Sequence, residues 1–348
     1  MVDAVLTDDA VLDDTELLPR HAATMSRLAT VYGGSGFLGR HVVRALARRG
    51  WRVRVAVRRP DLAGHLQPLG VVGQVQPVQA NLRYPASVLR AAEGAELIVN
   101  LVGILHETGR QNFEAVQSFG AKQVAGAARE VGARLVHVSA IGADEQSQSA
   151  YARTKAAGEA AALAAVPEAV VLRPSIVFGP EDDFFNRFAA MARLSPVLPL
   201  VGGGATRFQP VFVGDVADAV VRAAQGGAEP GTVYELGGPE VRSFRELIEI
   251  VLRETGRKRL LLPLPFSIAA LQARVLELLP NPLLTRDQVK LLAADNVVSE
   301  AARAEGRTLA GLGIQPTALG AVLPGYLWRY RKAGQFSAAE ENRADPAA

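Results

Sequence analysis

Tyr151 and Lys155 lie four residues apart in the run Tyr151-Ala152-Arg153-Thr154-Lys155. On a helix this spacing puts both side chains on one face, a single turn from each other. A lysine ammonium so placed lowers the pKa of a phenol and also binds a ribose hydroxyl. The phenol then acts as general acid or base in a proton transfer at a carbonyl or alcohol. Ser139, upstream at the end of an apolar run, is placed to polarise that carbonyl. Such a pair arises easily by chance, so its meaning rests on the elements that position it.

Those elements begin with a second chemical signature. Thr30-Val31-Tyr32-Gly33-Gly34-Ser35-Gly36-Phe37-Leu38-Gly39 joins a short apolar strand to a helix. Gly33, Gly36 and Gly39 are the set that allows a tight turn, close backbone approach to a pyrophosphate and close helix packing. The run predicts a dinucleotide cofactor. In NAD sites an acidic residue near the end of the second strand accepts hydrogen bonds from the adenosine ribose. Here that slot falls at Val57, followed by Arg58 and Arg59. Valine accepts nothing, whereas an arginine pairs bidentately with a 2′-phosphate. The reading is therefore NADP(H) (NADPH or NADP), with NAD as the alternative. Arg40, in the first turn after Gly39, is a second phosphate candidate.

From Leu28 onward strand and helix patterns alternate. Strands are expected at 28–32, 51–57, 74–79, 96–101, 134–139 and 169–172, with helices at 37–49, 85–92, 113–131 and 150–166. This alternation predicts an α/β fold, a Rossmann-type doubly wound parallel sheet covered on both faces. After Gly179 proline and glycine become frequent. A helix at 213–224 and a strand at 232–236 return to the sheet. Residues 237–330 read as helices joined by proline-rich turns, such as Leu262-Pro263-Leu264-Pro265 and Pro280-Asn281-Pro282. The expected organisation is an acidic extension (1–26), a nucleotide domain (27–178, completed by about 211–236), a smaller, mostly helical C-terminal lobe (179–210 and 237–331), and a polar, disordered tail (332–348).

Composition narrows the function classes. The chain has 348 residues, 49% of them hydrophobic, enough for a full core. It has no cysteine, which excludes disulfides, thiolate metal sites and cysteine nucleophiles. The five histidines are scattered without metal-ligand spacing, so no metal is expected. Net charge is only +3, but Arg40, Arg44, Arg48, Arg49, Arg52, Arg54, Arg58 and Arg59 form a local cluster. A nucleic-acid surface interleaves such charges with exposed aromatics, and here only Trp51 is near, so nucleic acid is not an expected partner. No apolar stretch reaches the length of a membrane span. Residues 1–26 are acidic, unlike a secretory signal, and read either as a disordered extension or as sequence upstream of a start at Met25.

Three further groups have a bland and a functional reading. Asp182-Asp183 suits acid–base work, but adjacent acids at a helix start more often cap it. Phe184, Phe185 and Phe188 form either a partner surface or, as their helical spacing favours, core. Residues 260–279 are very apolar and serve as the lobe's core or as a face that docks on a membrane protein or the bilayer surface.

Taken as a set, the glycine run, Tyr151 with Lys155, and Leu172-Arg173-Pro174-Ser175-Ile176-Val177-Phe178-Gly179-Pro180 resemble the extended or atypical short-chain dehydrogenase/reductase superfamily. One branch is closer. Phe178-Gly179-Pro180-Glu181-Asp182, Gln209-Pro210-Val211-Phe212-Val213 and Leu284-Thr285-Arg286-Asp287-Gln288-Val289 resemble the nucleotide-binding accessory subunit family of respiratory complex I, the alpha subcomplex subunit nine type. The likeness runs from about residue 27 to about 332. It implies a firmly bound NADPH, a place on the peripheral arm beside membrane-interface subunits and the ubiquinone site, and no established turnover. By the resemblance, Gly33, Gly36, Phe37, Leu38 and Gly39 contact the pyrophosphate, and Arg58 with Arg59 holds the 2′-phosphate. Asn81 and Leu82 lie at the adenine, and Leu101, Val102 and Gly103 line the ribose and pyrophosphate. Ser139, Tyr151, Lys155, Pro174 and Ile176 surround the nicotinamide end. Gln117 stands where the superfamily's helix asparagine completes a proton relay, and Asn81 replaces its usual aspartate. The alternative is a free-standing NADPH-dependent reductase or epimerase using Tyr151 and Lys155. The absence of cysteine and of a basic, serine-rich leader points to a peripheral protein on the cytoplasmic face of a bacterial inner membrane.

Overall fold

The computed structural model describes residues 27–279, 282–332 and 334. The acidic segment 1–26, Pro280 and Asn281, and the tail apart from Lys332 and Gly334 lie outside the described residues. In chain order the first half comprises β1 (Leu28–Tyr32), α1 (Phe37–Arg48), β2 (Arg52–Val57), β3 (Val75–Gln79), α2 (Pro85–Ala92), β4 (Leu97–Asn100), α3 (Phe119–Val131), β5 (Arg134–Val138), α4 (Ala150–Ala165) and β6 (Val170–Pro174). There follow β7 (Val177–Phe178), α5 (Phe184–Leu194), β8 (Val197–Val201), β9 (Arg207–Phe208), β10 (Val211–Phe212), α6 (Val213–Ala224) and β11 (Val233–Leu236). The remainder is β12 (Arg242–Ser243), α7 (Phe244–Glu254), β13 (Leu260–Leu264), α8 (Phe266–Leu276), α9 (Arg286–Leu291), α10 (Glu300–Ala304), α11 (Leu319–Val322) and α12 (Pro324–Leu327).

Seven strands form one sheet in the order β11-β6-β5-β4-β1-β2-β3, and every pairing in it is parallel. All residues of β1 and β4 are buried, as expected of strands covered by helices on both faces. On one face α1 and α6 pack Val42, Leu46, Val216 and Val220 against Val31, Val55 and Leu172. On the other, α3 and α4 pack Val124, Ala128 and Ala162 against Tyr32, Ile98 and Leu135. The strand order reverses between β1 and β4. At such a switch point the two following loops diverge and leave a crevice at the carboxyl ends of the strands.

The lobe has its own core of Phe178, Phe185, Leu198, Phe244, Leu247 and Tyr326. Phe184 and Phe188 lie 6.1 and 5.4 Å from the Phe244 ring, so this aromatic group is packing. Asp182 accepts from Phe185 N at 2.6 Å and Asn186 N at 3.2 Å and thus caps α5. Tyr326 OH donates to its other carboxylate oxygen. The segment Leu262-Pro263-Leu264-Pro265 corrects the expectation of a proline-rich turn. Residues 260–264 form β13, parallel to β8 in the register Leu260↔Val197 to Leu264↔Val201. A two-stranded sheet gives each strand one free side, so a proline without an N–H is tolerated there.

Candidate functional site

The glycine run forms the turn from β1 to α1. Gly33 has φ +82°, a conformation glycine adopts without strain. A Cβ on Gly39 would lie 2.3 Å from Gly33 O, so this position admits no side chain. A Cβ on Gly36 would meet nothing nearer than 3.4 Å, which leaves that side of the turn open. Gly36 begins α1 with no side-chain cap, so the first-turn N–H groups stay available to an anion. Phe37 packs on Gly179, where a Cβ would lie 3.3 Å from its ring, and Leu38 packs on the core. Arg40 reaches across to an ion pair with Glu181 at the start of the lobe.

Arg58 and Arg59 are both exposed just beyond β2. Arg59 is held by Asp61 at 2.8 Å, while Arg58 has no hydrogen bond or ion pair among the described residues. Asn81 follows β3 and turns its Oδ1 to Arg83 N at 3.1 Å. Leu82 is buried against Gly120. Leu101, Val102 and Gly103 follow β4. Val102 touches the glycine turn, since a Cβ on Gly33 would lie 3.1 Å from its Cγ2, and a Cβ on Gly103 would lie 3.2 Å from Lys155 Nζ. The fold therefore brings the glycine turn, the end of β4 and Lys155 together, although they are far apart in sequence.

Lys155 is buried, and its Nζ donates to Val138 O at 3.2 Å. Burial lowers its pKa to about 8, and the Glu159 carboxylate opposes the shift. Nζ lies 5.9 Å from the Tyr151 ring centroid, and that ring meets Phe113 edge-on at 5.8 Å. Tyr151 does not show the lowered pKa expected from its lysine. Burial raises it to about 12, so the phenol carries its proton at neutral pH. Ser139 lies just beyond β5, and its buried Oγ has no hydrogen-bond partner among the described residues. Pro174 ends β6, and Ile176 packs partly into the lobe core.

Several residues that hold this site were not singled out by pattern. His137, beneath Ser139 on β5, pairs through Nδ1 with Asn100 Nδ2 at 3.1 Å. Burial, reinforced by the Lys155 charge, lowers its pKa to about 3. Glu159, one turn beyond Lys155, accepts from Arg173 Nε and Nη2 at 2.9 and 2.6 Å. Gln117 spends both ends of its amide. Nε2 donates to Ile104 O at 2.8 Å and Oε1 accepts from Thr154 Oγ1 at 3.0 Å, which makes it a strut between the β4 loop and α4. It sits in a wide, π-helical turn over residues 114–118. Asp287, in the Thr-Arg-Asp segment, accepts from Ser149 Oγ at 2.7 Å, Ala150 N at 2.8 Å and Tyr151 N at 3.1 Å. The i+4 spacing from Lys155 marks Glu159 in the sequence. Only the resemblance marked Asp287.

The NAD dependent epimerase/dehydratase family matches residues 29–237, the segment that holds the crevice and all of these crevice residues but Asp287. The chain belongs to this family. It is 38% identical over 323 residues to the mitochondrial NADH dehydrogenase [ubiquinone] 1 alpha subcomplex subunit 9 of Arabidopsis thaliana, covering 88% of this chain and 79% of that one. It is also 39% identical over 194 residues to a ceramide reductase of Caulobacter vibrioides, covering 56% of this chain and 60% of that one. In fold it is similar to the UDP-glucose 4-epimerase of Thermus thermophilus complexed with NAD, at a TM-score of 0.63 and 22% identity over 88% of this chain and 99% of that one.

Proposed function

We propose that this chain is an NADP(H)-binding accessory subunit of respiratory complex I, in which the nucleotide is mainly a structural part. The observation that carries this reading is the length of the likeness to the Arabidopsis subunit, which reaches well past residues 29–237 into the lobe. The residues fit a dinucleotide. A glycine turn open at Gly36, a buried Ser139 Oγ without a partner among the described residues and a Lys155 ammonium with donors to spare offer it hydrogen bonds. In this reading Gly33, Gly36 and Gly39 shape the pyrophosphate cradle, with Phe37, Leu38 and Arg40 beside it. Arg58 meets the 2′-phosphate, seconded by Arg59. Asn81 and Leu82 line the adenine side, and Leu101, Val102 and Gly103 the middle. Ser139, Lys155, Tyr151, Pro174 and Ile176 hold the far end.

The bound dinucleotide supplies redox capacity. With a pKa of about 12 Tyr151 carries its proton at neutral pH, so it offers a bound nucleotide a hydrogen bond and suits the role of acid better than that of base. Lys155 at about 8 is largely charged and suits a ribose hydroxyl. Gln117 uses one amide N–H and its amide oxygen to brace α4. A ligand that binds only the folded state stabilises it by about 4 kcal/mol at a thousandfold excess over Kd.

The partners in this reading are the peripheral-arm and membrane-interface subunits of complex I, with bilayer contact beside them, on the cytoplasmic face of a bacterial inner membrane. Among the described residues no helix is long and apolar enough to cross a membrane, which suits peripheral attachment. The lobe presents Leu271, Val275, Leu278 and Leu279 to solvent, at 51–83% exposure. The test is a pull-down of the full chain from detergent-solubilised membranes, with mass identification of the nucleotide released on denaturation. Recovery of quinone-reducing complex I subunits together with NADP(H) is expected. Soluble protein alone with rapidly exchanging nucleotide overturns the reading. A second reading, a reductase, draws on the intact Ser139, Tyr151, Lys155 set and the Caulobacter relative. It requires a carbonyl-reducing activity that Tyr151→Phe abolishes.

A further inference from the structure

Glu181, where the lobe begins, sets its carboxylate on an arginine of the glycine-turn helix. Arg40 is the fourth residue of α1, and its backbone N donates to Gly36 O at 3.1 Å. Its side chain therefore leaves the helix one turn from the open glycine, and helical side chains lean towards the N-terminus. Nη1 pairs with Glu181, whereas the buried Nε has no partner among the described residues. A buried guanidinium N–H without an acceptor is unfavourable. An oxygen anion in the glycine turn would satisfy it, and the first-turn N–H groups of α1 attract the same anion.

The loop that presents Glu181 is fixed on both sides of it. Pro180 O accepts from Arg329 Nη2 at 2.9 Å. Asp182 caps α5 and accepts from Tyr326 OH. The ion pair itself is loosely held, because the Arg40 and Glu181 side chains are 35% and 48% exposed. A pair so exposed contributes little to stability. Contact between α1 and the loop does not depend on it either, since Phe37 packs on Gly179. What Glu181 adds is an anion placed on the one arginine of the first turn.

We propose that Glu181 is a positioning residue that competes with the nucleotide pyrophosphate for Arg40. Before a nucleotide binds, its carboxylate takes the place of a phosphate oxygen on the guanidinium, and Arg40 exchanges one for the other as the cradle fills. This rests on the dinucleotide reading above and adds to it an internal competitor that limits affinity. The pyrophosphate is common to NADPH and NADH, so the effect is the same for both, unlike that of a 2′-phosphate contact.

The experiment is calorimetric titration of the full chain with NADPH and with NADH, for the native protein, Glu181→Ala, Arg40→Gln and the double variant. Glu181→Ala removes both the charge and the acceptor. It binds each nucleotide about fivefold more tightly at low ionic strength, and the gain shrinks as salt screens the pair. A merely structural role for Glu181 lowers the nucleotide-free melting temperature and brings no gain in affinity. Arg40→Gln weakens both nucleotides, and adding Glu181→Ala to it changes affinity by less than about twofold, because no guanidinium is left to compete for. If Arg40→Gln fails to fold, Glu181→Ala decides, since it alters an exposed loop residue. Unchanged or weaker binding by Glu181→Ala, a gain for NADPH alone, or the full gain persisting in Arg40→Gln overturns the competition and leaves the cofactor reading standing. Absence of binding of either nucleotide by the native protein and by Glu181→Ala overturns the cofactor reading, and the competition with it.

Discussion

Arg173 on β6 grips Glu159 on α4 through Nε and Nη2, at 2.9 and 2.6 Å, while Glu235 on β11 stands 3.8 Å from Nη1. Glu159 is one turn beyond Lys155, so this pair fixes the roll of the helix that bears Tyr151 and Lys155. Its carboxylate is buried. Removing a buried hydrogen-bonding partner of a charged group costs about 1.5–3 kcal/mol, and Glu235 beside Arg173 keeps the loss below that of a wholly unpaired buried charge. Glu159→Gln is expected to lose that much in urea denaturation without nucleotide. It should also lower the Lys155 pKa further, because the Glu159 charge is what opposes the effect of burial. A loss under about 1 kcal/mol is the size of a solvated pair and would refute the bracing role.

The His137–Asn100 pair gives stability a pH dependence of known sign. Burial holds the folded-state pKa of His137 at about 3, below its ordinary 6.5. Between these values the unfolded chain binds more protons than the folded one. This contribution is complete above pH 6.5 and is lost as pH falls towards 3, at up to about 1.4 kcal/mol per pH unit for one proton. Lys155 acts in the same sense at higher pH, with stability rising from about 8 to 10.5. Urea midpoints measured from pH 7 to 4.5 should fall in the native protein and fall less steeply in His137→Asn. Equal slopes would remove His137 as the source.

The sheet was legible because its signals are local. Apolar strands, glycine stops at Gly50 and Gly132, and helical spacing each lie within a few residues, and both glycines take the left-handed conformation those stops require. The lobe was harder to read. Leu262-Pro263-Leu264-Pro265 carries turn residues, but pairing with β8 outweighs them, and nothing local to the segment announces that partner. The acidity of Tyr151 departs from what its spacing to Lys155 suggests for a related reason. Spacing shows that a lysine is near the phenol, whereas burial, which decides the shift, is set by the whole fold. Asp287 lies 136 residues from the backbone N–H of Tyr151 that it accepts from, a relation no short pattern contains.

Cofactor choice turns on Arg58. It stands exposed just beyond β2 without a partner among the described residues, whereas Asp61 occupies Arg59 and Glu181 occupies Arg40. A charge-assisted contact to a 2′-phosphate contributes about 1.5–3 kcal/mol, or about 10- to 150-fold in affinity. Arg58→Ala should weaken NADPH by that factor in calorimetric titration and change NADH binding by less than about threefold, since NADH has no group for the arginine to hold. Equal losses for both nucleotides would show that Arg58 acts on the turn itself and not on the phosphate.

The leucine face on α8 offers a test that separates docking from folding. Leu271 and Val275 are 67% and 64% exposed, and the helix is anchored by Ala269 and Ala273 on its opposite side. Aspartate at both exposed positions should therefore change stability by no more than about 0.5 kcal/mol each. An apolar partner responds differently. Burying a leucine and a valine on docking contributes about 1.5–3 kcal/mol apiece, and burying two unpaired carboxylates instead is strongly unfavourable. The double variant should melt as the native protein does, bind NADPH with unchanged affinity, and fail to co-purify with the quinone-reducing membrane complex. Because residues 148–155 are untouched, a loss of nucleotide affinity in the absence of any partner would mean that the substitutions had disturbed the fold. Undiminished co-purification would move the docking surface away from α8.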